Sequence, residues 1–277
     1  MRFTVIGSGS TGNAVLISAG STNVLVDAGL SAREMLRRLA IMGLQPEDLD
    51  AVLITHEHSD HAGGLRVLMR SISCPIFMSG ETEEAFYSSR RIDKNGTGEG
   101  IKRRDALVGK TVQITSDTEF RIGDIDFKPF SVPHDAADNF GFVAQSGGVK
   151  IATLMDVGHM TDLIKTSIKG CDAMVIESNH SRDMLRACHL YSWDLKQRIA
   201  SKTGHLSNEE LADWLTTDFD GSARHIILAH LSQRANEPHL AKLTAETAIK
   251  LRSPLFRAET AITISHPKQP TDWITLD

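Results

Sequence analysis

Leu-Ile-Thr-His-Glu-His-Ser-Asp-His-Ala-Gly-Gly, residues 53–64, decides how this chain is read. An apolar run, residues 51–55, ends abruptly in His56-Glu57-His58-Ser59-Asp60-His61, three imidazoles and a flanked aspartate within six residues. Neutral imidazole is a leading ligand for zinc and its first-row neighbours, and a carboxylate adds the charge that draws in a second divalent ion. Directly afterwards, residues 62–70 change from a period of two to a period of 3.6, so the stretch reads as strand, ligand loop and helix.

Working outward, residues 3–6, 14–18 and 23–26 read as strands before a helix over 31–42, and 81–89 as a helix behind the ligand loop. Strands follow at 112–114, 119–122, 125–130, 140–145 and 149–154, with Ser146-Gly147-Gly148 as a hairpin turn. Residues 173–176, 225–229 and 261–264 read as strands between helices at 161–168, 193–201, 207–215 and 237–251. There is no internal repeat and no linker, so one domain over 1–277 is expected, α/β in class, with two sheets packed together and helices outside.

Six acidic or histidine residues fall immediately after apolar segments: Asp27, His56, His134, Asp156, Glu177 and His230. In open α/β sheets the ligand crevice lies beyond the carboxyl ends of the strands, where such residues converge. A two-metal hydrolase needs about six protein donors with a carboxylate between the ions. His56, His58, Asp60, His61, His134, Asp156 and His230 supply them, and a water or hydroxide between the ions would be the nucleophile.

With these residues in place, the chain resembles the metallo-β-lactamase fold superfamily over essentially its whole length, which implies a four-layer αββα sandwich. Residues 7–17 (GSGSTGNAVLI), 53–64, 177–180 (ESNH), 204–208 (GHLSN) and 229–232 (AHLS) resemble the YycJ/WalJ-like branch, associated with DNA exonuclease activity. The resemblance implies His56, His58 and His134 on a first metal, Asp60, His61 and His230 on a second, and Asp156 between them. It makes Asp27 the residue that steadies the ligand loop, where the residues alone also allow a turn that ends the strand. Implied catalytic residues are Asp60, Asp156 and His205, acting in 5′–3′ phosphodiester hydrolysis.

Ser207 and Glu210 form an S-x-x-E capping box, which sets His205 just before the positive end of a helix. A phosphate could be held there, and resemblance to the tRNA-processing relatives, whose late His-Ser-Thr segment occupies a similar place, makes His205 a candidate general acid or phosphate ligand; the lesser alternative is a residue that caps a loop. Two readings also stay open for His180, contact with substrate or second metal against pairing with Glu177 or Asp156. The Gly7–Asn13 turn presents Ser10 and Asn13 to a phosphate or is a plain hairpin. Arg90, Arg91, Lys94, Lys102, Arg103 and Arg104 form a phosphate-tracking strip or a solvated loop.

A formal charge of -5 argues against tight binding of nucleic acid through bulk electrostatics alone. Three cysteines without CxxC spacing indicate neither a disulfide framework nor a zinc ribbon. With no signal-like start and no membrane-length apolar run, a cytoplasmic protein without membrane partners is expected. Zinc is the first expectation for the two divalent ions, while the carboxylates also suit manganese or iron. DNA is the favoured partner and RNA the second. Hydrolysis of a small thioester, lactone or lactam is the alternative that the fold equally accommodates.

Overall fold

The computed structural model describes residues 1–88, 110–252 and 259–277. The basic strip at 90–104 and the last residue of the helix expected over 81–89 lie outside the described residues. In the first sheet, β1 (Arg2–Gly7), β2 (Ala14–Ala19) and β3 (Thr22–Val26) form an antiparallel meander. Parallel to β3 follow β4 (Ala51–Leu53), β5 (Ile76–Met78) and β6 (Thr111–Gln113), while β14 (Ile274–Thr275) pairs antiparallel with β1 at the other edge. The second sheet repeats the plan. Antiparallel β7 (Phe120–Ile122), β8 (Ile125–Ser131), β9 (Phe140–Ser146) and β10 (Val149–Leu154) lead into parallel β11 (Ala173–Glu177), β12 (His225–Ala229) and β13 (Ala261–Ile264).

Side chains alternate across a strand, and that alternation builds the layers. Val15 and Ile17 of β2, with Ala173 and Val175 of β11, meet Phe3, Leu53, Phe127 and Phe142 between the sheets. Leu16 instead faces Met35 and Leu39 of α1 (Ala32–Ile41). On the far side, Met174 and Ile176 face Trp214 and Leu215 of α8 (Asn208–Thr217) and Ala245 of α9 (Pro238–Leu251). The result is helix, sheet, sheet, helix, the αββα order implied by the resemblance. Strands covered on both faces read as unbroken apolar runs, which is why AVLI and AMVI carried the strand signal so clearly.

The helix expected over 62–70 is two single turns, α2 (Ser59–Ala62) and α3 (Leu65–Leu68), divided at Gly63-Gly64. A Cβ on Gly64 would lie 1.8 Å from the Leu30 carbonyl oxygen, and one on Gly29 1.7 Å from that of Asp60. The ligand loop thus packs backbone to backbone against residues 28–30, a close approach that only glycine permits. Strands β5 and β14 and helix α6 (Arg182–Ala187) gave no separate sequence signal, being two to six residues long. The remaining helices are α4 (Gly80–Ser88), α5 (Asp162–Ser167) and α7 (Trp193–Ile199). Among the described residues, no helix is long and apolar enough to cross a membrane.

Candidate metal centre

The strand ends meet at one place. Asp27 follows β3, the 56–61 loop follows β4, Asp156 follows β10, Glu177 ends β11 and His230 follows β12. Asp27, Asp156 and His230 have φ of 66°, 56° and 55°, a left-handed conformation that turns each side chain off its strand. Aspartate and histidine are enriched among the non-glycine residues that adopt it. The sharp turns bring donors of both sheets together. His56, His58, His134 and Asp156 form one group whose ligand atoms lie within 4.8 Å of one another, Asp60, His61, Asp156 and His230 a second, and Asp156, Glu177, His205 and His230 a third. All seven residues read as metal donors from the sequence are in the first two groups.

Hydrogen bonds at the far side of each ring fix which nitrogen faces inward. His61 Nδ1 lies 2.7 Å from Asp27 Oδ2, and His134 Nδ1 3.0 Å from the Gly204 carbonyl. Thr55 Oγ1 donates to Asp27 at 3.0 Å and so is left to accept from His56 Nδ1 at 2.9 Å. With each Nδ1 turned to its partner, Nε2 of all three faces Asp156 Oδ2, at 3.0 Å from His56, 3.0 Å from His61 and 3.5 Å from His134. His58 uses the other nitrogen, Nδ1, which lies 3.3 Å from His134 Nε2.

Whether these residues fit divalent cations is decided by the buried atoms they leave without partners. His56 Nε2 and both carboxylate oxygens of Asp156 are buried and make no hydrogen bond, although they lie together. Buried polar atoms are ordinarily satisfied, and lone pairs converging at these spacings suit N- and O-ligated divalent ions. The residues fit.

Charge is balanced within the cluster. Burial opposes ionisation of Asp156, yet His230 and His61 hold its carboxyl well below the usual range. Burial likewise opposes charge on His61 and His230, and Asp156 outweighs it, holding both well above an ordinary imidazole. His56 is pushed down to about 4 by burial, and burial lowers His134 as well, so both stay neutral.

Glu177 is the residue that counting donors left out. Its Oε1 accepts from His205 Nδ1 at 2.9 Å and from His230 Nδ1 at 2.8 Å, while Oε2 accepts from the backbone N–H of Val157 at 2.7 Å and of Leu206 at 3.0 Å. It thereby orients two histidines and two loops at once; its place at a strand end was the available signal. Burial works against its charge, but the neighbouring His205 holds it at about 2. Burial also opposes charge on His205, and Glu177 with Asp156 raises it to about 9.

The cleft over the cluster is lined by Ser10, His58, Asp60, His134, Asp156, His205 and His230, and also by Asp135, Asn179, Tyr191, Leu195, Arg198, Ile199, Gly204 and Ser232. Asp60 and His205 are both accessible from it, each with a side chain 22% exposed. Two residues read as substrate contacts do not line it. Asn13 is fully buried, its Oδ1 accepting from Ser8 Oγ at 2.8 Å and Gly9 N–H at 2.9 Å, its Nδ2 3.0 Å from His61 Nε2. His180 is 2% exposed, bridged through its backbone to Ser207, and lowered to about 4 by burial. Ser10 is exposed and lies on the cleft wall.

This architecture, two sheets delivering histidines and aspartates from their strand ends to groups that share the Asp156 carboxylate, is a metallo-β-lactamase fold, and residues 22–231 match the β-lactamase superfamily domain, so the chain belongs to that superfamily. Within it the sequence is 35% identical to exodeoxyribonuclease WalJ of Streptococcus pneumoniae serotype 2 (strain D39 / NCTC 7466) over 243 residues, 88% of this chain and 86% of the relative. It is 33% identical to exodeoxyribonuclease YycJ of Bacillus anthracis, covering 98% and 97% of the two chains. The crystal structure of the metallo-β-lactamase fold protein YhfI from Bacillus subtilis superposes with a TM-score of 0.70 at 17% identity, over 98% of each chain.

Proposed function

We propose that this protein is a metal-dependent phosphodiesterase acting on nucleic acid, an exonuclease on DNA working 5′ to 3′, with the whole chain as one catalytic unit. The observation that carries the reading is the placement of His205. Its Nδ1 is held by Glu177 at 2.9 Å, with Asp156 Oδ1 3.3 Å away, on the open side of a seven-donor cluster. That leaves Nε2 to meet a ligand in the cleft. The two exodeoxyribonucleases at 33–35% identity over most of the chain support the same substrate class.

His56, His58 and His134 would hold one divalent ion, Asp60, His61 and His230 the other, and Asp156 both. When bound, such ions polarise a phosphoryl oxygen and lower the pKa of water. Asp60, the accessible carboxylate of the set, is placed to accept a hydrogen bond from the attacking water and orient it. His205, its pKa raised by Glu177 and Asp156 at its back, is placed to deliver a proton from Nε2 to the departing oxygen. Glu177 keeps that ring turned towards the phosphate and does not touch it. Asp27 holds His61 through a carboxylate–imidazole pair, the support that metal-binding histidines usually have.

Zinc is the ion that the imidazole-rich donor set suits first, and manganese or iron is accommodated by its carboxylates. A cytoplasmic setting belongs to the same reading, supported by three buried, unpaired cysteines. The test is a metal-titrated assay on end-labelled DNA and RNA beside a chromogenic phosphodiester and a thioester. Cleavage of DNA from the 5′ end is expected. Preference for RNA would move the substrate, and turnover of the thioester alone would overturn the reading.

A further inference from the structure

Helix α7 is the one numbered helix among the described residues with no buried side chain. It is nonetheless firmly placed. Ser192 Oγ caps it by accepting from Leu195 N–H at 3.2 Å, Lys196 Nζ donates to the Arg186 carbonyl at 2.7 Å, and the Ile199 carbonyl accepts from His205 N–H at 2.9 Å. Polar bonds hold it where other helices use apolar packing. Its apolar residues are therefore free for something else.

Leu195 and Ile199, four apart and so on one face, line the cleft beside His205 and are only half buried. Tyr191 continues that face, its ring set by an O–H contact with Ser232 Oγ at 3.2 Å. Trp193, two residues before Leu195, points to the opposite side and is 73% exposed. Arg198 stands on the cleft face with Leu195 and Ile199. Its Nε is bonded to Asp135, and its two terminal nitrogens make no hydrogen bond to any described residue.

An occupant of this wall must be continuous with whatever reacts at the donor cluster. It must offer a flat or apolar part to Tyr191, Leu195 and Ile199, and an anionic group to Arg198. A nucleoside followed along the strand by another phosphate has that composition, since every base has a π-face and guanidinium binds phosphate through charge-assisted hydrogen bonds. We propose that the cleft face of α7 is a nucleoside subsite, taking the base and sugar next to the scissile phosphate on Tyr191, Leu195 and Ile199 and the following phosphate on Arg198. The assignment rests on the phosphodiesterase reading above and gives that reading its selectivity for nucleotides.

The test compares the p-nitrophenyl ester of thymidine 5′-monophosphate with methyl p-nitrophenyl phosphate, using the full-length, metal-loaded protein. The two share leaving group and reacting phosphorus and differ in the nucleoside, so their kcat/KM ratio reads the subsite. The wild-type ratio is expected to exceed about tenfold, and Leu195→Ser and Tyr191→Ala each to cut it about fivefold to tenfold, the scale of losing one apolar or stacking contact. On the corresponding dinucleotide ester, which adds the second phosphate, Arg198→Gln is expected to lose about tenfold relative to the mononucleotide ester. Metal content at the wild-type level verifies that each variant is folded. Equal turnover of both esters by the wild type, or ratios unmoved in the variants, would overturn the subsite and leave the phosphodiesterase standing. Failure of the loaded wild type on both esters and on end-labelled DNA would remove the phosphodiesterase reading and the subsite with it.

Discussion

Ser8 and His230 are 222 residues apart in sequence, yet the Ser8 hydroxyl accepts the His230 backbone N–H at 2.7 Å. Ser8 follows β1 in one sheet and His230 follows β12 in the other, so this bond crosses between the sheets at the donor cluster. The same hydroxyl donates to Asn13 Oδ1 at 2.8 Å, and the Asn13 amide nitrogen lies beside His61. One serine therefore sets the positions of two donors of the second group. Ser8→Ala would leave the buried His230 N–H without a partner and Asn13 Oδ1 with the Gly9 N–H alone, costing about 1–3 kcal/mol of stability. Metal analysis after dialysis is expected to find the variant short of the second ion, moving from two ions per chain towards one.

Asp27 supports His61 from behind while occupying a left-handed backbone position. Asp27→Asn keeps one acceptor and tolerates that conformation, whereas Asp27→Ala keeps neither. Loss of such a partner typically weakens metal binding about 10- to 100-fold. Competition with a chromogenic chelator should rank wild type above Asn above Ala; equal affinities would show that Asp27 only ends its strand.

Binding of cations to the folded chain stabilises it by mass action, about 2.7 kcal/mol per site at a hundredfold excess over Kd. Removing them with EDTA should lower Tm by several degrees, and zinc or manganese should restore it. A Tm indifferent to chelation and add-back would separate the cluster from metal binding.

Away from the centre, Glu34 is held at about 2 by hydrogen bonds from Arg37 and Arg38. Arg38, almost fully buried, ties Glu34 to the carbonyls of Ile6 and Pro267 at 2.8 and 2.9 Å. Because the folded pKa is depressed, the stabilisation is fully present above the unfolded value of about 4.5 and is lost as pH falls towards about 2. Glu34 is partly exposed, so screening limits the effect to about 1 kcal/mol or less. The stability difference between wild type and Glu34→Gln should shrink across that window and stay flat above pH 5.

Burial pushes the Cys171 thiol up to about 12 and that of Cys74 up to about 11. Neither forms a reactive thiolate at neutral pH. Labelling with a thiol reagent at pH 8 should modify them only on unfolding; rapid labelling of the native protein would contradict their placement in the core.

The parts of the site legible in the sequence were those attached to strong local signals. Asp27, His56, His134, Asp156 and His230 each stood at the end of an apolar run, and both sheets and the capping box at Ser207–Glu210 were read from pattern alone. Glu177 stood at a strand end too, but its work is to join His205 and His230, a relationship that only packing reveals. Ser8 and Arg38 act through contacts more than thirty residues away in sequence. The role of α7 was invisible because what distinguishes it is the absence of burial, and a half-polar periodic segment reads the same whether its apolar face meets a core or a cleft.

The donors are divided between the sheets, with the 56–61 loop on one and His134, Asp156 and His230 on the other. Neither sheet alone can complete a coordination sphere. A cation bound there would therefore act as a proofreader of assembly: it would be retained only once the sheets have docked in the right alignment, and a chain whose sheets had slipped would declare the error by failing to keep its metal.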